Sequence, residues 1–184
     1  QPHGATLTST TGVNSEDLSG SVIVGTGTYT DVPGGQVAWS FDHINYISQN
    51  DTVDIIITKA AATIVVADYE GIYDGQPHGA TLTSATGVNS EDLSGSVIVG
   101  TETYTDVPGG TVNWRFEHNN YEAHNGTVDI VITKANPICS ISGYTGVYDG
   151  DPHGASGSCT GVKGETLTIL DLGEIFTNMP GGTA

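Results

Sequence analysis

Basic side chains are nearly absent: the 184 residues hold 4 Lys and Arg against 21 Asp and Glu, a formal net charge of −17. With no basic stripe to displace phosphate counterions, the composition excludes a nucleic-acid binder. The same shortage argues against docking on anionic lipid. Charge of either sign is also sparse, at 14% of residues, which is not the make-up of a disordered acidic tail. No apolar run approaches the ~18 residues that a membrane helix needs. The first residues are not a basic-plus-apolar leader, so any secretion signal is expected outside this stretch. Methionine occurs once and tryptophan twice, whereas glycine occurs 26 times and Thr, Ser and Val fill much of the remainder. Such a composition predicts an all-β chain with many turns.

What the chain does have is a repeat. Gln1-Pro2-His3-Gly4-Ala5 returns as Gln76-Pro77-His78-Gly79-Ala80 and as Asp151-Pro152-His153-Gly154-Ala155, a period of 75 residues both times. Asp31-Val32-Pro33-Gly34-Gly35 returns as Asp106-Val107-Pro108-Gly109-Gly110. A third form, Asn178-Met179-Pro180-Gly181-Gly182, arrives three residues early, so the last copy carries a short deletion. Residues 1–60 and 76–135 are identical at 48 of 60 positions. The units are therefore 1–60, which lacks a first strand, 61–135, which is complete, and 136–184, which lacks the last strands. Incomplete end units lead us to expect a segment of a longer array, with strands supplied by a neighbouring subunit as the alternative.

Within 61–135 the pattern predicts about six strands: Thr63–Ala67, Ala80–Ala85, Ser96–Val99, Thr103–Val107, Thr111–Glu117 and Thr127–Lys134. Asn89-Ser90-Glu91-Asp92-Leu93 has N-cap chemistry and predicts one helical turn. Val112, Trp114 and Phe116 alternate with polar residues, so one face should be buried; in the first copy Val37, Trp39 and Phe41 are retained while Gln36, Ala38, Ser40 and Asp42 differ. Val128, Ile130 and Ile132 are expected on the same core, with one Trp anchoring each full module. The junctions Lys59-Ala60-Ala61-Ala62 and Lys134-Ala135-Asn136-Pro137 hold no Gly/Ser linker, which predicts stiffly coupled neighbours.

Tyr73–Gly79, Glu91–Gly95, Asp106–Trp114, Asn120-Tyr121 and Gly126–Ala135 together resemble the MBG-type (YDG-like) tandem extracellular repeats of large bacterial surface and adhesin proteins. The third unit, with Tyr144–Gly150 and Phe176-Thr177-Asn178, resembles a divergent member, so the resemblance spans the chain in phase with the period. It implies stacked spacers in surface-anchored or filamentous proteins and no catalytic residues. The expected fold is a tandem of small Ig-like β-sandwich modules of 75 residues, forming a rod. A β-grasp-like module with one short helical turn is the alternative.

Candidate chemistry is thin. His3, His78 and His153 lie one per unit and cannot converge on one ion, so they are expected as turn histidines. His118 and His124 are not a property of the repeat, since His124 aligns with Gln49. The acidic groups Glu16-Asp17, Glu91-Asp92 and Asp149-Gly150-Asp151 offer hard oxygen ligands for Ca²⁺ between modules, the one cofactor to consider, but without calcium-loop spacing; solvated surface charge is the plainer reading. Cys139 and Cys159 align with Ile64 and Ser84 in strands expected to be neighbours, which suggests one disulfide, against two free thiols or a bridge to another chain. Asn50 and Asn125 begin sequons one period apart in an expected exposed loop, and are candidate glycosylation sites. Lys59 and Lys134 raise the question of intramolecular isopeptide bonds, at an exposed joint.

No nucleophile elbow, phosphate loop or His/Cys metal set is present, and paired carboxylates recur only in loops, so the chain is not expected to be an enzyme. The expectation is a structural segment of an extracellular surface protein, a stiff stalk or filament module. Its expected partners are the neighbouring repeats of the chain, or a homopolymer formed by strand exchange. The alternative is an adhesin module binding carbohydrate or protein receptors through Tyr69, Tyr104 or Tyr121.

Overall fold

A computed structural model describes residues 1–183. Repeat 1 holds β1 (His3–Gly4), β2 (Val22–Val24), β3 (Thr28–Tyr29), β4 (Gly34–His43) and β5 (Tyr46–Ile56). Repeat 2 holds β6 (Thr63–Ala67), β7 (Tyr69–Ile72), β8 (His78–Gly79), β9 (Thr81–Thr86), β10 (Val97–Val99), β11 (Thr103–Tyr104), β12 (Gly109–Phe116) and β13 (His124–Thr133). Repeat 3 holds β14 (Ile138–Ser142), β15 (Ser156–Thr160) and β16 (Thr166–Leu167). The fold is all-β; among the described residues the only helical pieces are three-residue 3₁₀ turns at Ser19–Ser21 and Ser94–Ser96.

The chain forms two compact units whose boundary runs through repeat 2. The first contains Gln1–Val65, Ser84–Ile98 and Arg115–Asn125; the second contains Val66–Thr83, Val99–Trp114 and the chain from Gly126 onward. Sheet order repeats with the sequence. Repeat 1 has β1-β3 and β2-β4-β5, and repeat 2 has the matching β8-β11 and β10-β12-β13, to which β7 adds a fourth strand. Repeat 2 also has the pair β6-β9, and repeat 3 has β14-β15-β16.

In the first unit the framework is the β4–β5 hairpin, antiparallel from Gly34↔Ile56 to His43↔Tyr46 with a bulge between Phe41 and His43. Val37 and Phe41 are buried and Trp39 half-buried, while Gln36 and Ala38 are exposed, as the period-two pattern predicts. In the second unit Ile130–Thr133 of β13 pairs parallel with Tyr69–Ile72 of β7. Val112, Ile130 and Ile132 are the core there, each 2% exposed or less. The aromatic anchor of repeat 2 is Phe116, fully buried, and not Trp114, which is half-buried.

Several sequence expectations need correction. The helical turn is not at Asn89–Leu93, where Ser90 takes φ 60 and the Glu91 carboxylate accepts the Asn89 N–H in a tight turn. It comes just after, at Ser94–Ser96, where Asp92 accepts the Ser94 N–H. Two strands were unforeseen, Tyr69–Ile72 and His78–Gly79, because each is short and lies beside a Gly-rich turn. Cys159 corresponds to Ala85 and not to Ser84: Cys159 pairs with Leu167 as Ala85 bonds Leu93, so one deleted residue lies before β15.

The Pro-Gly-Gly turns have the same form in all three repeats. Each has a cis X-Pro bond, a left-handed first Gly (Gly34, Gly109, Gly181), and a hydrogen bond from that Gly N–H to the residue three before it. A Cβ on Gly109 would lie 1.8 Å from the Ile130 carbonyl oxygen, at φ +90. The second Gly is covered by a tyrosine ring, Tyr104 over Gly110 and Tyr29 over Gly35, and each hydroxyl donates to the strand beyond. Gly109→Ala should therefore cost about 3 kcal/mol or more of stability. Urea unfolding of the variant beside wild type checks this; a loss below 1 kcal/mol would mean that the turn has room to rearrange.

Candidate functional site: the joint between repeats

The first unit contains the whole meeting point of repeat 1 with the Glu117–Glu122 loop of repeat 2. The Asp31-Val32-Pro33-Gly34 turn satisfies the Gly34 N–H internally but leaves that of Val32 facing outward. Asn120 fills the vacancy: its Oδ1 accepts the Val32 N–H at 3.0 Å, and its Nδ2 donates to Asp31 Oδ1 at 2.6 Å. One amide side chain thus reads both the backbone and the side chain of the turn. Beside it the two backbones pair. Ala60 N–H donates to the Asn120 carbonyl at 3.0 Å, and Glu122 N–H donates to the Ala60 carbonyl at 2.9 Å, as a parallel bridge. Lys59 Nζ donates to the His118 carbonyl at 3.1 Å. The lysine singled out for cross-linking thus serves as a joint clamp.

Sequence reasoning did not assign Asn120 this role, although a signal existed. Asn45-Tyr46 and Asn120-Tyr121 are identical in a stretch where positions 44, 47, 48 and 49 all differ from their counterparts. The tyrosine of the pair anchors the loop. Tyr121, 3% exposed, donates its hydroxyl to Glu91 and accepts the Val88 N–H at 3.0 Å. Tyr46 makes the same contacts with Glu16 and Val13. This is the corner arrangement in which a phenol ties a loop to a strand. The Tyr46 hydroxyl lowers the Glu16 pKa and Glu16 raises that of Tyr46, because the bond needs the phenol protonated and the carboxylate charged.

In the second unit the histidines of the Pro-His-Gly motif, expected as turn residues, lie just past the turn in strand pairings: His78 opens β8 and His153 forms an antiparallel bridge with Phe176. The His78 ring stacks on Tyr69 at 3.7 Å between centroids and places Nε2 3.0 Å from Asp74 Oδ1. His153 does the same with Tyr144 at 3.6 Å and Asp149 at 2.9 Å. Asp74 also accepts the Gln76 N–H, the largest cause of its lowered pKa; for Asp149 the His153 contact is the largest. The acidic groups are thus employed within their own turns: Glu16 holds Asn14 N–H, Asp17 holds Ser19 N–H and Asp149 holds Asp151 N–H. Among the described residues no group of three or more His, Cys, Asp and Glu gathers in metal-ligand geometry.

Cys139 and Cys159 form a disulfide across β14 and β15. Asn50 and Asn125 are exposed, but in strands β5 and β13, not in a loop. Both strands start earlier than the apolar period that announced them at Val53 and Val128, and the polar residues ahead of it are held extended by the ladder, as in Ser40↔Asn50. Of the tyrosines considered for receptor contact, Tyr121 is buried, Tyr69 is stacked and the Tyr104 hydroxyl donates to the Thr111 carbonyl at 2.8 Å. Compared with known proteins, the chain matches no family model, no curated protein and no solved structure.

Two predictions follow from these bonds. Asn120→Ala should destabilise the chain by about 1–2 kcal/mol, since the half-buried Val32 N–H loses its acceptor. Asn45→Ala, at the exposed counterpart, should change stability by less than about 0.5 kcal/mol in the same denaturation series. Equal losses would show that the clasp contributes nothing beyond its own loop. The second prediction concerns pH. The lowered carboxylates Glu16, Asp17, Asp74, Asp92 and Asp149 stabilise the folded chain above their unfolded pKa values. That stability is lost as pH falls through their folded values, below about pH 4. The raised Tyr46 acts in the opposite sense, stabilising below about pH 10 and losing that contribution as pH rises through its folded value. Denaturation midpoints plotted against pH should form a plateau with both limbs, and Asp74→Asn with Asp149→Asn should flatten the acid limb.

Proposed function

We propose that the chain is a structural segment of an extracellular surface protein, in which stacked β-repeats build a stalk or filament. The observation that carries this reading is the joint around Asn120. Repeat 1 passes into repeat 2 without a flexible linker, and backbone pairing at Ala60 together with the Asn120 and Lys59 bonds holds the two. A module that served only as an independent binding head would need no such joint. The resemblance to MBG-type surface repeats and the recurrence of one turn chemistry in every copy support the same reading. So does the composition, since 21 carboxylates against 4 bases keep near-identical modules apart in solution.

Each repeat is read as a small Ig-like sandwich. Support comes from the opening segment of repeat 2, which pairs first with β9 through β6 and then with β13 through β7, serving two sheets in turn. The alternative β-grasp arrangement requires a helix layered on a sheet, and the 3₁₀ turn at Ser94–Ser96 buries no residue. The partners in this reading are neighbouring repeats of the same kind, in the same or another chain. Electron microscopy of the native assembly tests the proposal. The expected image is a continuous thin rod with a repeat of roughly 30–45 Å, one module length from strand rise and loops. Globular particles that bind glycans or a receptor without forming rods would overturn it.

A further inference from the structure

Within repeat 2 the segment by which the chain enters is paired with the segment by which it leaves. Tyr69–Ile72 of β7 lies alongside Ile130–Thr133 of β13, and the two run in the same direction. The pairing continues past β7. Tyr73 N–H donates to the Thr133 carbonyl at 2.8 Å, and Thr133 Oγ1 donates to the Gly71 carbonyl at 3.2 Å. The same direction and the same register recur in the first unit, where Ala60 pairs parallel with Tyr121. In every one of these pairs the partner lies 61 residues further along the chain.

Parallel pairing of entry with exit has a mechanical consequence that an antiparallel hairpin lacks. Tension applied before residue 61 and after residue 135 drags β7 toward its own start and β13 toward its own end. The strands are pulled past one another along their length, and the bonds between them have to fail together. In a hairpin pulled at its two ends the bonds open one after another. Parallel pairs are slightly weaker per residue than antiparallel ones, so the resistance comes from direction and not from bond strength. The chain between the two strands, residues 74–129, is bypassed while the pair holds. Sliding would also uncover Ile130 and Ile132, which are 1% and 2% exposed. The Tyr69 ring lies along the strand over Gly71, where a Cβ would come within 2.4 Å of its hydroxyl oxygen, and the His78 ring backs it at 3.7 Å. A glycine weakens a strand interior, and here it admits the ring that covers the bonds.

We propose that repeat 2 bears tension along the chain and that the β7–β13 pair is the latch that holds it. Residues 69–73 and 130–133 carry the load, the Thr133 hydroxyl fastens the far end of the pair, and Tyr69 covers it. This mechanical function rests on the reading of the chain as a stalk segment, in which each module is loaded through its neighbours, and it names the element that resists.

Single-molecule force spectroscopy on the whole chain tests this in two pulling directions. In the first, handles at the two chain ends load repeat 2 as its neighbours would. In the second, handles at Asp68→Cys and Asp129→Cys, exposed positions next to the Tyr69↔Ile130 pair, peel the ladder from one end, with the Cys139–Cys159 disulfide left closed. In the first direction the opening of repeat 2 is recognised by its released length, roughly 200–270 Å for 75 residues. At equal pulling speed the breaking force should be at least about twofold higher in the first direction, because bonds that share a load fail at once. Thr133→Val should lower the first force and leave the second unchanged, since its hydroxyl bond lies at the end of the ladder that peels last. Equal forces in the two directions, or a higher force in the second, overturn the proposal. So does a loss from Thr133→Val that is confined to the second direction. Rods in electron micrographs together with equal forces would remove the latch alone, whereas a strong first direction without rods would keep the latch and remove the stalk.

Discussion

A small β-sheet has to cover one apolar face and pair its edges, because bare backbone groups and uncovered aliphatics are each costly. In repeat 2 one segment, residues 63–72, meets both demands. It crosses from β9 to β13, with which it pairs parallel, and closes the apolar side over Ile130 and Ile132. The break in the segment is Asp68, between β6 and β7, where the chain leaves one strand partner for the other. The turns, the tyrosine corner and the hairpin are all present in repeat 1 without this segment. They fix the local conformation, and the opening strand decides how far the core is sealed.

The joint uses the same turn chemistry for a second purpose. A Pro-Gly-Gly turn with its bond from Gly34 N–H to Asp31 C=O satisfies itself and turns the Val32 N–H away from the ladder. In a lone module that donor would face water at little cost. In a stack it becomes a socket for an amide, and Asn120 occupies it. The identical Asn45 of repeat 1 remains exposed, its own N–H bonded to His43 Nδ1. Plug and socket thus lie at separate places in the repeat sequence, the heterologous arrangement that the proposed stack requires.

Much of the framework was legible in the sequence. The alternation of Val112, Trp114 and Phe116 located β12, and the Pro-Gly-Gly motifs located the turns, because side-chain period and φ > 0 are local properties. Tyr69–Ile72 was not legible. Four residues containing Glu70 and Gly71 have no strand signal of their own, and they are extended because β13 lies beside them. The same holds for the clasp, since an Asn in a loop announces a turn, and its bonds to Asp31 and Val32 depend on packing about 90 residues away in sequence. The placement of Cys159 failed for a simpler reason. A one-residue deletion in the small, Gly/Ser-rich stretch ahead of Cys159 leaves no apolar landmark; the ladder Cys159↔Leu167 reveals the shift, and Thr160-Gly161-Val162 set against Thr86-Gly87-Val88 agrees with it.

Near-identical neighbours carry a hazard, since a strand of one repeat can pair with the framework of the next. The inward positions Val37, Trp39, Phe41, Val53 and Ile55 cannot discriminate, being the same in both copies. Discrimination falls to the outward positions of the hairpin, where the copies differ. Gln36 donates to Asp54 across β4 and β5, and Ser48 donates to Asp42. In repeat 2 the counterparts of Gln36, Asp42 and Ser48 are Thr111, Glu117 and Ala123, and Glu117 pairs with Arg115. An exchanged pair of strands would set Ala123 against Asp42 and forfeit that bond. Cross-strand pairs of this kind contribute roughly 0.2–1 kcal/mol each, too little to build a fold but enough, summed over a hairpin, to choose between two otherwise equal partners. The outer face, free of any duty to the core, is where such a choice can be written without disturbing the repeat.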